Sequence, residues 1–165
     1  MQIYLSLRRS GDILVYGLPL WYRISSAAIA AILAAAATVS GGLGVVGNVI
    51  VFVAILAPFY QERWTFNAVD GSCSGRIGLV FAAKGPSFKV VDIARIRIDI
   101  FARGRLDQGT LPSEEKMPAG SQARLIVDLK DGKALMIDSV PFKRGAELAA
   151  SASAIAGALG VQFEG

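Results

Sequence analysis

Residues 24–59 carry no Asp, Glu, Lys or Arg and read ISSAAIAAILAAAATVSGGLGVVGNVIVFVAILAPF. A run this apolar is stable only when covered on every side. As one straight helix it would be about 54 Å long, well beyond a bilayer core of roughly 30 Å. Ser40-Gly41-Gly42, with Gly44 and Gly47 just after, interrupts it, and paired glycines punctuate a helix. The pattern predicts two apolar spans, 22–39 and 43–60, joined by a tight turn into a transmembrane hairpin. The first is alanine-rich, which lets helices approach closely, so Ala27, Ala30, Ala34 and Ala37 are expected to line a packed interface. Trp21, Tyr22, Tyr60 and Trp64 fall where an aromatic belt is expected at one membrane interface.

Ahead of this run, Ile3, Leu5 and Leu7 alternate with polar neighbours, as in a short strand. Residues 12–22 read as an interfacial approach to the bilayer. Beyond it the period changes to two. Strands are predicted over 63–67, 76–82, 87–91 and 93–101. In the last of these Ile96, Ile98 and Ile100 face one way and Arg95, Arg97 and Asp99 the other. Residues 104–122 lack periodicity and read as a long loop. Residues 124–130 and 133–140 form a hairpin. A three-residue loop, Lys130-Asp131-Gly132, pairs Val127 with Leu135 and Leu125 with Ile137, and places Gly132 in the left-handed region. Residues 143–159 are predicted helical, with Leu148, Ala152, Ile155 and Leu159 on one stripe and Gly160 as the stop.

The expected organisation is thus a leader and two-helix transmembrane hairpin at 1–61, followed by one soluble α+β domain at 62–165. The 165 residues, 53% hydrophobic, suit that division. Arg8, Arg9, Arg23 and Arg63 flank the ends of the run away from its turn. By the positive-inside rule both termini and the soluble domain lie in the cytoplasm, on a bacterial inner or photosynthetic membrane.

Charge and chemistry change this picture little. Net charge is +4, there is no histidine, and Cys73 stands alone. Histidine ligation, histidine base catalysis and an internal disulfide are excluded. There is no P-loop, GxGxxG, GxSxG or CxxC pattern. Glu114-Glu115 reads as a solvated pair. No catalytic, cofactor-binding or metal-ligating residue is expected, nor a nucleic-acid or small-molecule partner. One stretch is basic: Arg76, Lys84, Lys89, Arg95, Arg97, Arg103 and Arg105 outnumber Asp92 and Asp99. It is a candidate docking face for phospholipid headgroups or an acidic partner loop.

The stretches FKVVDIARIRID (88–99), RLIVDLKDGKALMI (124–137) and AELAASASAIAGALGVQFE (146–164), following a two-helix run, resemble bacterial pleckstrin-homology-like domains carried on a two-helix anchor. The layout is similar to the photosystem I assembly protein family. The resemblance implies a PH-like antiparallel sheet or barrel of about six or seven strands capped by a C-terminal helix. It carries no functional residue over to this chain. The expected function is a non-enzymatic accessory or assembly subunit of an integral membrane protein complex. The alternative is a peripheral sensor of anionic lipid headgroups acting through the basic segment 76–105.

Overall fold

The structure, a computed structural model, describes residues 4–39, 44–102, 117–118 and 120–165. The proposed turn at Gly41-Gly42, the residues Ile3, Arg103, Arg105, Glu114 and Glu115, and most of the 104–122 loop lie outside the described residues.

A five-stranded sheet has the order β1-β2-β3-β4-β5, with β1 Ser6–Ser10, β2 Ile13–Gly17, β3 Tyr60–Asn67, β4 Ser72–Leu79 and β5 Ser87–Lys89. A four-stranded sheet has the order β8-β7-β6-β9, with β6 Ile93–Phe101, β7 Gln122–Leu129, β8 Ala134–Pro141 and β9 Phe163–Glu164. The described α-helices are α1 Leu20–Val39, α2 Gly44–Leu56 and α3 Gly145–Leu159. The chain divides into two compact units. One comprises residues 1–8, 15–64 and 74–86; the other comprises 9–14, 65–73 and 87–165.

This corrects the expected fold class in two respects. α1, at 20 residues, is the one described helix long and apolar enough to cross a membrane. α2 has 13 residues, about 20 Å, and a 3-10 turn at Ala57–Phe59 containing Pro58 finishes it. A hairpin of two full spans is therefore absent among the described residues. Their strands, moreover, form two separate sheets of five and four, with no single six- or seven-stranded PH barrel and no closure. The segment read as interfacial is also different: most of it is strand. Gly11, at φ +61°, turns β1 into β2, and Leu14 and Tyr16 are buried. Its alternation was masked because Ile13 and Val15, which alternate with them, are apolar and half-buried too.

In the first unit, the helices are an excursion between neighbouring strands. The chain leaves β2 at Gly17 and re-enters the sheet at Tyr60. The Leu18 N–H donates to the Glu62 carbonyl at 3.0 Å, clasping exit and return together. A Cβ at Gly17 would lie 2.7 Å from that carbonyl oxygen, so only glycine allows the approach. α1 and α2 pack on each other. Trp64 lies 2% exposed over Gly75, where an added Cβ would stand 2.6 Å from the indole.

The second unit packs α3 on the four-stranded sheet, touching β6, β7, β8 and β9. Leu148, Ala152, Ile155 and Ala156 are buried from the helix; Ile96, Ala123, Leu125, Val127, Ile137 and Val140 are buried from the strands. Leu159, predicted on the same stripe, is half-buried. Gly160, at φ +66°, ends the helix in the left-handed conformation. The β7–β8 loop is the expected three-residue one. Leu129 N–H bonds the Lys133 carbonyl at 2.8 Å, and Gly132 has φ +85°. Val127 faces Leu135 as expected, but Leu125 faces Asp138. A bulge there inserts Ile137, which turns into the core and shifts the register beyond it.

Candidate functional site

Two surfaces stand out, one apolar and one charged. The apolar one belongs to the helical excursion. Leu20, Ile24, Ile29, Ile32 and Val39 of α1, and Val45, Val46, Val49, Ile50, Phe52, Val53 and Ile55 of α2, are all exposed. Folded chains seldom leave an apolar face of this extent in water; it marks a surface that lipid or protein covers. α1 places a candidate membrane-crossing element near the N-terminus.

The alanine face is divided. Ala30 is buried, Ala34 and Ala37 are half-buried, and Ala27 is exposed. α1 packs chiefly against α2 and the Ala57–Phe59 turn, so the middle of this face is used within the chain. The aromatic belt is divided as well. Trp21 and Tyr60 are exposed and Tyr22 is half-buried. Burial raises the pKa of the Tyr60 phenol above its usual value, with further contributions from the Glu62 charge and from neighbouring Tyr22. Those three residues share one end of the excursion. Trp64 does not join them: it is interior, and its indole N–H has no hydrogen-bond partner among the described residues. The alternation of Trp64 with Phe66, also buried, was the available signal for a core-facing strand.

The charged surface lies on the face of the four-stranded sheet opposite α3. Strand alternation sends Arg95, Arg97 and Asp99 outward from β6 as expected, while Ile93 and Ile96 go inward. Both arginines are engaged. Arg95 donates to Asp128 through Nε at 2.9 Å and to both oxygens of Glu164 through Nη1 at 2.9 and 3.1 Å. Arg97 donates to the same Asp128 oxygen at 2.9 Å and lies 3.7 Å from Asp99. Partial burial would by itself raise the pKa of the Asp128 carboxyl. The hydrogen bonds from Arg95 and Arg97 outweigh that and hold it below the ordinary carboxylate value. The Arg95 guanidinium is raised by its bonds to Asp128 and then Glu164. Around this cluster an open depression of about 660 Å³ is lined by Arg95, Arg97, Asp128 and Glu164 together with Ala94, Leu129, Gly132, Ala134 and Gln162.

Two arginines thus meet three carboxylates, and the basic surplus of the segment vanishes at its centre. Asp128 and Glu164 come from β7 and β9, 33 and 69 residues away from Arg95. Lys84 and Lys89 are exposed elsewhere: Lys84 forms a backbone bridge with Ile77, and Lys89 ends β5. Sequence reasoning missed Arg124. Its guanidinium stacks on the Phe101 ring at 3.9 Å, and its buried Nε has no hydrogen-bond partner among the described residues. The cross-strand pairing of β6 with β7 that makes this contact is not encoded within either strand alone.

Cys73 is fully buried, and burial pushes its thiol up to about 11, away from thiolate reactivity. Among the described residues no three His, Cys, Asp or Glu side chains are grouped to hold a metal ion. No protein-family model matches the chain, and no curated protein matches it.

Proposed function

We propose that this protein is a non-enzymatic, membrane-anchored accessory subunit that holds its folded β-rich part against a larger membrane protein complex. The observation that carries this reading is the apolar surface of α1, exposed along its length and uncharged beyond Arg23. Insertion there is favourable, because every large side chain it exposes beyond Arg23 is Ile or Val. The excursion starts and finishes at the Leu18–Glu62 clasp, so both helices are tethered to the sheet at one place. Arg8, Arg9, Arg23 and Arg63 favour the cytoplasmic side.

The sensor reading, in which a basic face grips anionic headgroups, is weaker. Arg95 and Arg97, its central cations, are already satisfied by Asp128, Glu164 and Asp99. The full chain, expressed in a bacterial host and extracted with mild detergent, separates the two. Resistance to alkaline carbonate and a fixed-ratio protein partner support the subunit. Release by carbonate removes the anchor. Membrane retention without any partner, with binding that scales with anionic lipid, favours the sensor.

A further inference from the structure

The turn that follows β4 is an exposed apolar tip. Val80 is 51% and Phe81 74% exposed, and Ala82 is exposed beside them. A loop tip in water has no need of these side chains; Gly, Asn, Asp and Ser serve turns better. The tip is also firmly built. Ala82 N–H bonds the Leu79 carbonyl at 2.8 Å, and Ile77 and Lys84 exchange backbone bonds at 3.0 and 3.3 Å across the neck. Lower down, Gly75 N–H bonds the Pro86 carbonyl at 2.8 Å. A Cβ at Gly85 would collide with the Gly75 carbonyl oxygen, so the two sides of the neck are in backbone contact.

The tip's position is fixed by a second clasp. Val80 N–H donates to the Phe59 carbonyl at 2.8 Å, which ties it to the last residue of the helical excursion. Phe59 and Tyr60 are themselves exposed there. Arg63, Arg76 and Lys84, all exposed, belong to the same unit. Exposed aromatic and aliphatic side chains flanked by cations match the headgroup–acyl boundary of an anionic bilayer.

We propose that residues Val80 and Phe81 form a second membrane contact, inserting into the headgroup–acyl boundary beside the helical excursion. This rests on the membrane-anchored reading above. Together the two contacts would fix the tilt of the first unit against the bilayer, which one anchor point cannot do.

The test uses the full chain in phosphatidylcholine vesicles containing phosphatidylglycerol. An environment-sensitive NBD label is placed on Phe81→Cys, and on Ile32→Cys and Ser153→Cys as references. Ser153 is exposed on α3. Native Cys73 is buried and stays unlabelled. The label at residue 81 should emit at shorter wavelength than at residue 153 and be quenched most by shallow spin-labelled lipids. At residue 32 deep quenchers should act most. Quenching at 32 but none at 81 overturns the tip contact and leaves the anchor standing. No quenching at 32 overturns the anchor, and this proposal with it. A blue shift at 81 without lipid quenching also overturns it, since protein would then be covering Phe81.

Discussion

α1 and α3 are both alanine-rich helices without a proline, yet they meet opposite environments. In α3 the large side chains fall on one stripe, and Ile155 is 1% exposed against the sheet. In α1 they are spread around the axis, and Ile32 is 68% exposed. Alanine content sets how closely a helix can pack; the placement of the few large residues decides what it packs on. A stripe finds its partner within the chain. A helix with large residues spread around its axis leaves some of them for lipid or protein to cover.

The same substitution in the two helices breaks or sharpens this contrast most strongly. Ile155→Ala should destabilise the folded chain by about 2–5 kcal/mol in chemical denaturation, because it opens a cavity under α3. Ile32→Ala should leave that transition nearly unmoved. Equal losses at both positions would mean that α1 is covered by protein within the native state.

A charge reverses the ranking of the two sites for membrane retention. Ile32→Asp places a carboxylate at the middle of α1, which costs insertion about 2.5–3.5 kcal/mol. Flotation with vesicles should lose the variant. An exposed charge added to α3, Ser153→Asp, should float as the parent does.

A smaller effect is expected where the first unit is tightest. Gly75→Ala forces a methyl into the Trp64 ring, and overpacking of this kind costs about 1–3 kcal/mol. The tryptophan emission should shift as its ring is displaced. An unshifted spectrum and unchanged stability would show that the indole moves aside freely.

The smallest change tests the charged groove. Asp128→Asn removes the negative charge that Arg95 and Arg97 share and puts an amide in its place, at a cost of about 1–2 kcal/mol because the arginine arms are partly solvated. The sign with pH follows from the lowered pKa of Asp128 in the folded state. Its contribution is present above the unfolded value, near 3.9 as for an ordinary Asp, and is lost as pH falls through the lower folded value. The variant should therefore show a flatter acid limb than the parent and converge with it at low pH. An undiminished acid limb would place the responsible carboxylate elsewhere, at Glu147 or Asp131.

Much of the second unit was legible in the residues. The β6 alternation, the Lys130-Asp131-Gly132 loop and the α3 stripe each depend on neighbours within a few positions, and each was found. What escaped is non-local. The bulge at Ile137 appears only when β8 is laid on β7. Asp128 and Glu164 neutralise Arg95 and Arg97 only because β7 and β9 flank β6. β2 was read as a membrane approach because four consecutive apolar side chains, Ile13 to Tyr16, leave no polar alternation to betray a strand. The length of α2 was overestimated for a related reason: composition continues through Pro58 and Phe59, but the helix does not. Of the candidate site, the apolar helix was legible and the pairing of its cations was not.

The clasp between Leu18 and Glu62 has a consequence for synthesis. β1 and β2 emerge from the ribosome before the apolar helices, yet β3, the neighbour that covers β2, emerges only after them. The first two strands therefore wait with an open edge until the whole apolar stretch has been made. That edge is covered only when the chain comes back and brings Glu62 to Leu18, so a chain halted within the helices is left with an unpaired strand open to association.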